Sequence, residues 1–147
     1  MSWKSDLHIH SKYSNKPTNW VMQKIGCPEA FTDPKDIYKI ARKKGLNAIT
    51  ITDHDQINGC LEILEYPNTF ISSEVAVRFP EDGCKIHLLT YDISENQFKE
   101  ILELRQNIYE LSEYLRNENI YHAVAHPLSA VNDKLKQEHF EKMMLLF

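Results

Sequence analysis

Apolar residues recur along the chain with two different periods, and segments of one kind alternate with segments of the other. Residues 6–10, DLHIH, alternate with a period of two, which is typical of a short strand. Residues 47–52, NAITIT, form a β-branched run that predicts a buried strand. Residues 69–75, TFISSEV, predict a strand that can continue through a turn into CKIHLLTY, and residues 121–126, YHAVAH, predict another.

Helical signals lie between these strands. In residues 32–45, Thr32 or Asp33 can cap a helix, Pro34 suits its first turn and Gly45 its exit. Residues 94–119 give the clearest helical pattern and begin with a capping box, SENQ. Shorter helices are predicted at residues 58–64, around residues 20–24 and from about residue 133.

Strands and helices therefore follow one another, which favours an α/β fold with a largely parallel sheet or barrel. A complete β/α barrel needs roughly 200 residues or more, so these 147 residues amount to about two-thirds of one. The sequence also stops within an apolar run, HFEKMMLLF. We expect residues 1–147 to be the N-terminal part of one longer domain.

Composition narrows the possible functions. Hydrophobic residues make up 42% and charged residues 26%, as in ordinary globular proteins, and no apolar stretch is long enough to span a membrane. The net charge of −4 offers no general attraction for nucleic acid or acidic lipid. Three widely spaced cysteines form neither a disulfide framework nor a zinc knuckle, so a cytoplasmic location is expected.

Histidine or a carboxylate stands on or near the end of every predicted strand. These residues are His8, His10, Asp53, His54, Glu74, His87 and His126. His8 and His10 share one face, because side chains two positions apart on a strand do so. In a parallel β/α barrel the carboxyl ends of the strands meet at one rim, where active sites lie.

Imidazole nitrogens and carboxylate oxygens are the ligands of Zn²⁺, Mn²⁺ and Fe²⁺. Two such ions close together can deprotonate a bridging water, orient an ester and stabilise the leaving oxygen. Each residue taken singly has an ordinary explanation, such as a polar strand end for the histidine pair or a carbonyl-bonded core histidine for His87. Their occurrence at successive strand ends favours metal binding. We do not include His122 among the ligands, because it lies at the start of its strand, or His139, because it is expected to be exposed.

The segments DLHIHS, ITDHD, IHLL and AHP, with Glu74 between the second and third, match a known family in order. The chain resembles the PHP (polymerase and histidinol phosphatase) domain, a metal-dependent phosphoesterase, from residue 6 to residue 127. The resemblance implies a distorted (β/α)7 barrel. The chain would then be a partial PHP-type barrel that lacks its C-terminal part.

The resemblance also implies a metal centre with two or three divalent ions. His8 and His10 would bind the first ion, and Glu74 would bridge the first and second. His87 and His126 would complete the second.

The third ion has fewer candidate ligands than the other two. His54 would bind it, but the position where relatives often have His or Asp is Asn15 or Lys16 here, and a neutral amide is a poor ligand. Asp53 and Asp6 would orient the ligands from behind.

A late motif of this family, Asp and His separated by one residue, does not occur after Pro127. It would supply one ligand to the first ion and one to the third. We therefore expect a further C-terminal segment or a fused domain, and the activity of the chain alone is left open.

These inferences predict hydrolysis of a small phosphorylated substrate by a metal-activated water. Lys12, Arg78 and Lys85 are near the ligands in sequence and are candidates to hold the phosphate, although the pattern favours an ordinary exposed cation at each of these positions. Two alternatives stay open: a metal-binding structural or regulatory module of a larger enzyme, and a PHP-type nuclease, against which the acidic balance counts.

Overall fold

The computed structural model describes residues 3–14 and 30–147. The predicted helix at residues 20–24 and the positions of Asn15 and Lys16 lie outside these ranges. The chain divides into two compact units, Met1–Ser73 and Glu74–Phe147.

The described residues of the first unit form two short strands and two helices. These elements are β1 (Ser5–Asp6), α1 (Pro34–Lys43), β2 (Ala48–Ile49) and α2 (Asn58–Leu61). The strands pair in parallel, with Ser5 opposite Ala48. Both are shorter than predicted, and His8 and His10 lie beyond β1. The two segments nevertheless stay side by side, because the Thr52 amide donates to the Ile9 carbonyl at 2.7 Å. The Ile9 amide donates to the Thr52 hydroxyl at 3.1 Å instead of to a backbone carbonyl, which interrupts the regular β-ladder.

Helix α1 confirms the signals read from the sequence. Asp33 caps it by accepting a hydrogen bond from the Lys35 amide at 3.0 Å, and Pro34 occupies the first turn. Gly45 follows the helix with a φ of +80°, a conformation that glycine adopts without strain. The helix buries Ile37 and Ala41. The core of this unit also contains Ile49, Ile51, Cys60 and Ile63.

The second unit is built on a three-stranded sheet in the order β3 (Ser72–Arg78), β4 (Lys85–Tyr91), β5 (Tyr121–Ala125), with the first two residues of β3 still in the first unit. The predicted hairpin between β3 and β4 is confirmed, since the Gly83 amide donates to the Phe79 carbonyl at 2.9 Å in its turn. Strands β4 and β5 are antiparallel. The expectation of a largely parallel sheet is therefore wrong for this unit, because a tight turn rather than a helix joins β3 to β4.

Three helices complete the second unit: α3 (Glu95–Leu104), α4 (Ile108–Asn117) and α5 (Gln137–Leu146). The capping box of α3 is confirmed, with Ser94 and Gln97 bonding each other's amides. The prediction of one continuous helix over residues 94–119 is wrong. Asn107 has an extended backbone, and its side chain accepts the Tyr109 amide at 3.1 Å, so it starts a new helix instead of continuing the old one.

The α/β class is confirmed, and the fold mixes helices with small sheets. Closure into a seven-stranded barrel, and the place of residues 1–147 within a longer domain, stay predictions. Among the described residues, no helix is both long and apolar enough to cross a bilayer.

Candidate metal-binding residues

Three histidines of the first unit lie together. The Nε2 atoms of His8 and His10 are 3.1 Å apart. The rings of His10 and His54 lie with their centroids 4.7 Å apart. The period of two in DLHIH thus places two imidazole nitrogens side by side, even though the regular strand ends before them.

Asp53 supports this group from the interior. Only 1% of the residue is exposed. Its Oδ1 accepts the Ser11 amide at 2.7 Å and the Ser14 hydroxyl at 3.1 Å, and its Oδ2 accepts the Ser11 hydroxyl at 2.7 Å. The Ser14 hydroxyl is in turn 2.8 Å from Nδ1 of His10 and accepts the His54 amide at 3.1 Å. Asp53 is therefore linked to both histidines through Ser14.

Asp6, the other carboxylate expected behind the ligands, is exposed at the end of β1. Its Oδ1 accepts the His8 amide at 3.4 Å, a long hydrogen bond. Asp6 thus contacts the backbone of His8.

The second unit brings Glu74, His87 and His126 together. Glu74 is fully buried and His87 is 5% exposed. Oε1 of Glu74 lies 3.0 Å from Nδ1 of His87 and 2.9 Å from Nε2 of His126. The same two nitrogens are 3.3 Å apart.

The strands explain how these three side chains meet. His87 is the third residue of β4 and pairs with Ala125, the last residue of β5. His126 follows directly, with a φ of 31°, and precedes Pro127. A positive φ is uncommon for a residue with a side chain, and such strain often accompanies functional positions.

The donor atoms of both groups suit a divalent ion. Two ligands bound to one Zn²⁺ at 2.0–2.2 Å in tetrahedral geometry lie about 3.4 Å apart. The three separations among Glu74, His87 and His126 are 3.0, 2.9 and 3.3 Å, and that between His8 and His10 is 3.1 Å. Side chains that already converge in this way need little rearrangement to hold an ion.

The three cations proposed to hold phosphate lie in different surroundings. Lys12 donates to Asp33 at 2.8 Å and lies 3.5 Å from Glu62, and the bond to Asp33 raises the pKa of the lysine. Arg78 is four residues from Glu74 on β3, about 13 Å along the strand. Lys85 begins β4, where its amide donates to Asn132 at 3.0 Å. Their contact with a substrate stays a prediction.

A third group of donor atoms, from Asp82, Glu138 and His139, lies within 4.8 Å in the second unit. His139 is 2% exposed, so the expectation that it is exposed is wrong. Its Nδ1 accepts the Lys136 amide at 3.0 Å, which puts the proton of the neutral ring on Nε2, 3.4 Å from Asp82. The ring also packs on Phe79, with centroids 4.6 Å apart. Because Nδ1 already accepts the Lys136 amide, it cannot take over the proton of Nε2. We therefore assign His139 the role of attaching α5 to the hairpin turn.

Ser11 and Ser14 are the residues that sequence reasoning missed. Both are fully buried, and the Ser14 amide donates to the Ser11 carbonyl at 2.9 Å in a turn after the histidine pair. The available signal was their spacing, two hydroxyls three residues apart directly after His-x-His. Such a pair is also ordinary loop chemistry, and only the folded turn shows that both hydroxyls face Asp53.

Comparison with known proteins finds a solved structure with a similar fold. No protein-family model matches the chain. In sequence, 67 residues are 40% identical to an uncharacterized protein of Methanocaldococcus jannaschii, a match that covers 46% of this chain and only 37% of that relative. In structure, 99% of the chain is similar to 75% of a Bifidobacterium adolescentis protein, provisionally named a metal-dependent phosphoesterase, with a TM-score of 0.60 and 12% identity.

A weaker likeness, with a TM-score of 0.45 and 18% identity, relates 78% of the chain to 39% of an amidohydrolase from Chromobacterium violaceum. At 12% identity, the likeness to the Bifidobacterium protein shows a shared α/β fold. The chain therefore combines that fold with histidine and glutamate groups that are able to hold divalent metal.

Proposed function

We propose that the protein is a metal-dependent hydrolase that cleaves phosphate esters. The observation that carries the proposal is the group of Glu74, His87 and His126, whose three donor atoms lie within 3.3 Å of one another. A fully buried carboxylate between two imidazoles is costly in an ordinary core, and a bound cation would offset that cost. The provisional name of the Bifidobacterium protein supports the same class of reaction.

The proposed ligands form two groups, one in each unit. His8 and His10 would hold one Zn²⁺, Mn²⁺ or Fe²⁺ ion, and Glu74, His87 and His126 another. His54 would serve a third. That Glu74 bridges two of the ions stays a prediction of the family resemblance. Bound ions would supply Lewis acidity, which acidifies a water molecule and neutralises charge on the phosphoryl group.

The side chains around the ligands have separate roles. Glu74 holds the two imidazoles of its group by hydrogen bonds, and Asp53 holds His10 and His54 through Ser14. These contacts fix the donor atoms before an ion arrives, which is the preorganisation that catalysis requires.

The surroundings of His126 leave its side chain accessible to a substrate. The side chain of His126 is 38% exposed, whereas those of Glu74 and His87 are buried. Beside it, Pro127, Leu128 and Ser129 line an open depression of about 430 Å³. We propose a small phosphorylated compound as the substrate, because the net charge of −4 disfavours a polyanionic polymer.

The experiment is a phosphate-release assay on the purified chain with generic phosphate monoesters, with and without Mn²⁺ or Zn²⁺. We expect metal-dependent release that His87→Ala lowers by about a hundredfold or more in kcat/KM. His122→Ala is the matched control, because His122 lies on β5 but contacts the Ile120 carbonyl and Phe147 instead of Glu74. Circular dichroism checks that both variants are folded.

Other outcomes decide between the alternatives. Metal bound without release of phosphate would contradict the proposal and favour a structural or regulatory module. Cleavage of single-stranded DNA, with binding that weakens log-linearly with salt, would favour a nuclease.

A further inference from the structure

We infer that Ser14 is a positioning residue that fixes the ring tautomer of His10, with the proton on Nδ1 and the lone pair on Nε2. The inference rests on the proposed function only for the identity of the ligand that this lone pair meets. The tautomer itself is a property of the metal-free chain.

The argument begins with the single proton of the Ser14 hydroxyl. Among the described residues, three groups lie within hydrogen-bonding distance of Oγ: Oδ1 of Asp53 at 3.1 Å, Nδ1 of His10 at 2.8 Å and the amide of His54 at 3.1 Å. The His54 amide can only donate, and an ionised Asp53 can only accept. The proton of Ser14 must therefore go either to Asp53 or to His10.

The surroundings of Asp53 decide this choice. If Ser14 donated to His10, two buried oxygen acceptors, Ser14 Oγ and Asp53 Oδ1, would face each other at 3.1 Å with no proton between them. Such an arrangement is repulsive, and water cannot relieve it because both residues are at most 1% exposed. Ser14 therefore donates to Asp53.

The proton of His10 follows from this assignment. With its own hydrogen directed at Asp53, Ser14 Oγ can only accept at 2.8 Å from Nδ1 of His10, so Nδ1 carries the ring proton. In the neutral ring the lone pair is then on Nε2, the atom 3.1 Å from Nε2 of His8. A metal-binding histidine characteristically donates its other N–H in this way, here to a carboxylate through one hydroxyl.

Ser11 provides a matched comparison. It is also fully buried and donates to Asp53 Oδ2 at 2.7 Å. Its hydroxyl also accepts the Tyr13 amide at 3.2 Å, whereas the Ser14 hydroxyl contacts the His10 ring. Ser11→Ala thus removes a hydrogen bond to the same carboxylate, as Ser14→Ala does, but leaves the Ser14 link to His10 in place.

The first test is the ring tautomer of His10 in the metal-free chain, read from long-range ¹H–¹⁵N correlation spectra. The pH is held near 8.5, well above the ordinary histidine pKa of about 6.5. The signal is assigned by its loss in His10→Asn. We expect protonated Nδ1 in the wild type and in Ser11→Ala, and a shift towards protonated Nε2, which free histidine favours, in Ser14→Ala.

A wild-type spectrum with the proton on Nε2 would overturn the inference without any variant. An equal shift in Ser11→Ala and Ser14→Ala would also overturn it, because it would reduce Ser14 to a general support of the turn.

The second test is metal affinity, measured by competition with a chelating dye using Mn²⁺ or Zn²⁺ alone. Ser14→Ala is expected to weaken binding by about 10- to 100-fold, and Ser14→Thr, which keeps the hydroxyl, to restore most of it. Unchanged affinity in Ser14→Ala would contradict the role of Ser14. If the tautomer is as inferred but the wild type binds no metal, the proposed function fails and the assignment of the tautomer stands.

Discussion

Gly59 shows how closely the chain packs around Asp53. Gly59 lies in α2, and a Cβ atom placed on it would come within 2.3 Å of Asp53 Oδ2 and 2.9 Å of Ser11 Oγ. The same Cβ would lie 3.0 Å from Cγ2 of Ile51. All of these neighbours are buried, so none can move aside into solvent. The absence of a side chain at position 59 is what allows Asp53 to reach both serines.

Gly59→Ala is therefore expected to destabilise the protein by about 1–3 kcal/mol, the usual range for inserting a methyl group into a packed core. The loss should appear as a lower free energy of unfolding in urea. Asn58→Ala, at the exposed neighbouring position, should change that free energy by less than about 0.5 kcal/mol. Equal stability of Gly59→Ala and the wild type would mean that Asp53 is not held as described.

At the residue scale, the sequence identified the side chains with unusual chemistry but not the ones that support them. His8, His10 and Glu74 stand out because histidine and glutamate are rare in apolar strand contexts. Ser11 and Ser14 do not, because serine is common in every loop and its role depends on where one hydroxyl proton points. That direction is fixed only by the partners that the folded chain supplies.

The hairpin turn and the C-terminal helix of the second unit are joined by polar contacts. Glu81, in the turn, accepts hydrogen bonds from Nζ of Lys142 at 2.6 Å and from the hydroxyl of Tyr109. His139 reaches Asp82 in the same turn. These contacts attach α5 to the hairpin turn. The helix buries only two of its residues, His139 and Met143, so it depends on such polar contacts.

The contact with Glu81 makes stability sensitive to acid. The Lys142 ammonium, and after it the Tyr109 hydroxyl, lower the pKa of Glu81 from 4.5 to about 2. A lowered folded-state pKa adds stability that is present above pH 4.5 and is lost as the pH falls from 4.5 towards 2. The side chains of Glu81 and Lys142 are each more than a third exposed, so solvent screens much of their interaction.

We therefore expect Glu81→Gln to be less stable than the wild type at pH 6 and the difference to shrink steadily below pH 4.5. Urea unfolding at several pH values measures it. Glu141→Gln, at an exposed position of α5 next to Lys142, is the control and should show a smaller difference. A difference between Glu81→Gln and the wild type that is constant from pH 6 to pH 3 would contradict the ion pair.

Asn107 offers a second test at the scale of elements. Its side chain accepts the Tyr109 amide and donates to Glu110 at 2.7 Å. Asn107→Ala should cost about 1 kcal/mol of unfolding free energy, as the loss of a helix cap usually does. Asn117→Ala, at the exposed end of the same helix, should cost less. Equal effects of the two substitutions would argue for one continuous helix.

At the element scale, local signals predicted the ends of helices better than their continuity. Asp33, Ser94 and Gly45 act through their own backbone neighbourhood, so the sequence reveals them. Residues 94–119 have helical spacing throughout, and the break depends on one asparagine that could equally lie inside a helix. The direction of β5 depended on pairing with β4, which no local signal reports.

The molecule as a whole carries a histidine group in each of its two units. His8, His10 and His54 belong to the first, and Glu74, His87 and His126 to the second. An ion that binds the folded chain and not the unfolded one stabilises it by mass action. Thermal stability therefore reports metal binding independently of any activity.

We expect Mn²⁺ at a hundred times its dissociation constant to stabilise the chain by about 2.7 kcal/mol. For a chain of this length, that is a rise of about 5–10 °C in Tm, which excess EDTA should reverse. His87→Ala should show a smaller rise than His122→Ala. The absence of any rise with Mn²⁺, Zn²⁺ or Fe²⁺ would contradict metal binding.

The backbone of His126 limits what can replace it. Most side chains pay about 1 kcal/mol or more to enter the left-handed region, whereas glycine and, to a lesser degree, asparagine enter it readily. A saturation library at this codon, sorted only for well-folded protein, should therefore enrich glycine and asparagine over the parental histidine. Sorting the same library for retention of manganese should reverse that order, so the two screens together would separate the demands of folding from those of the imidazole.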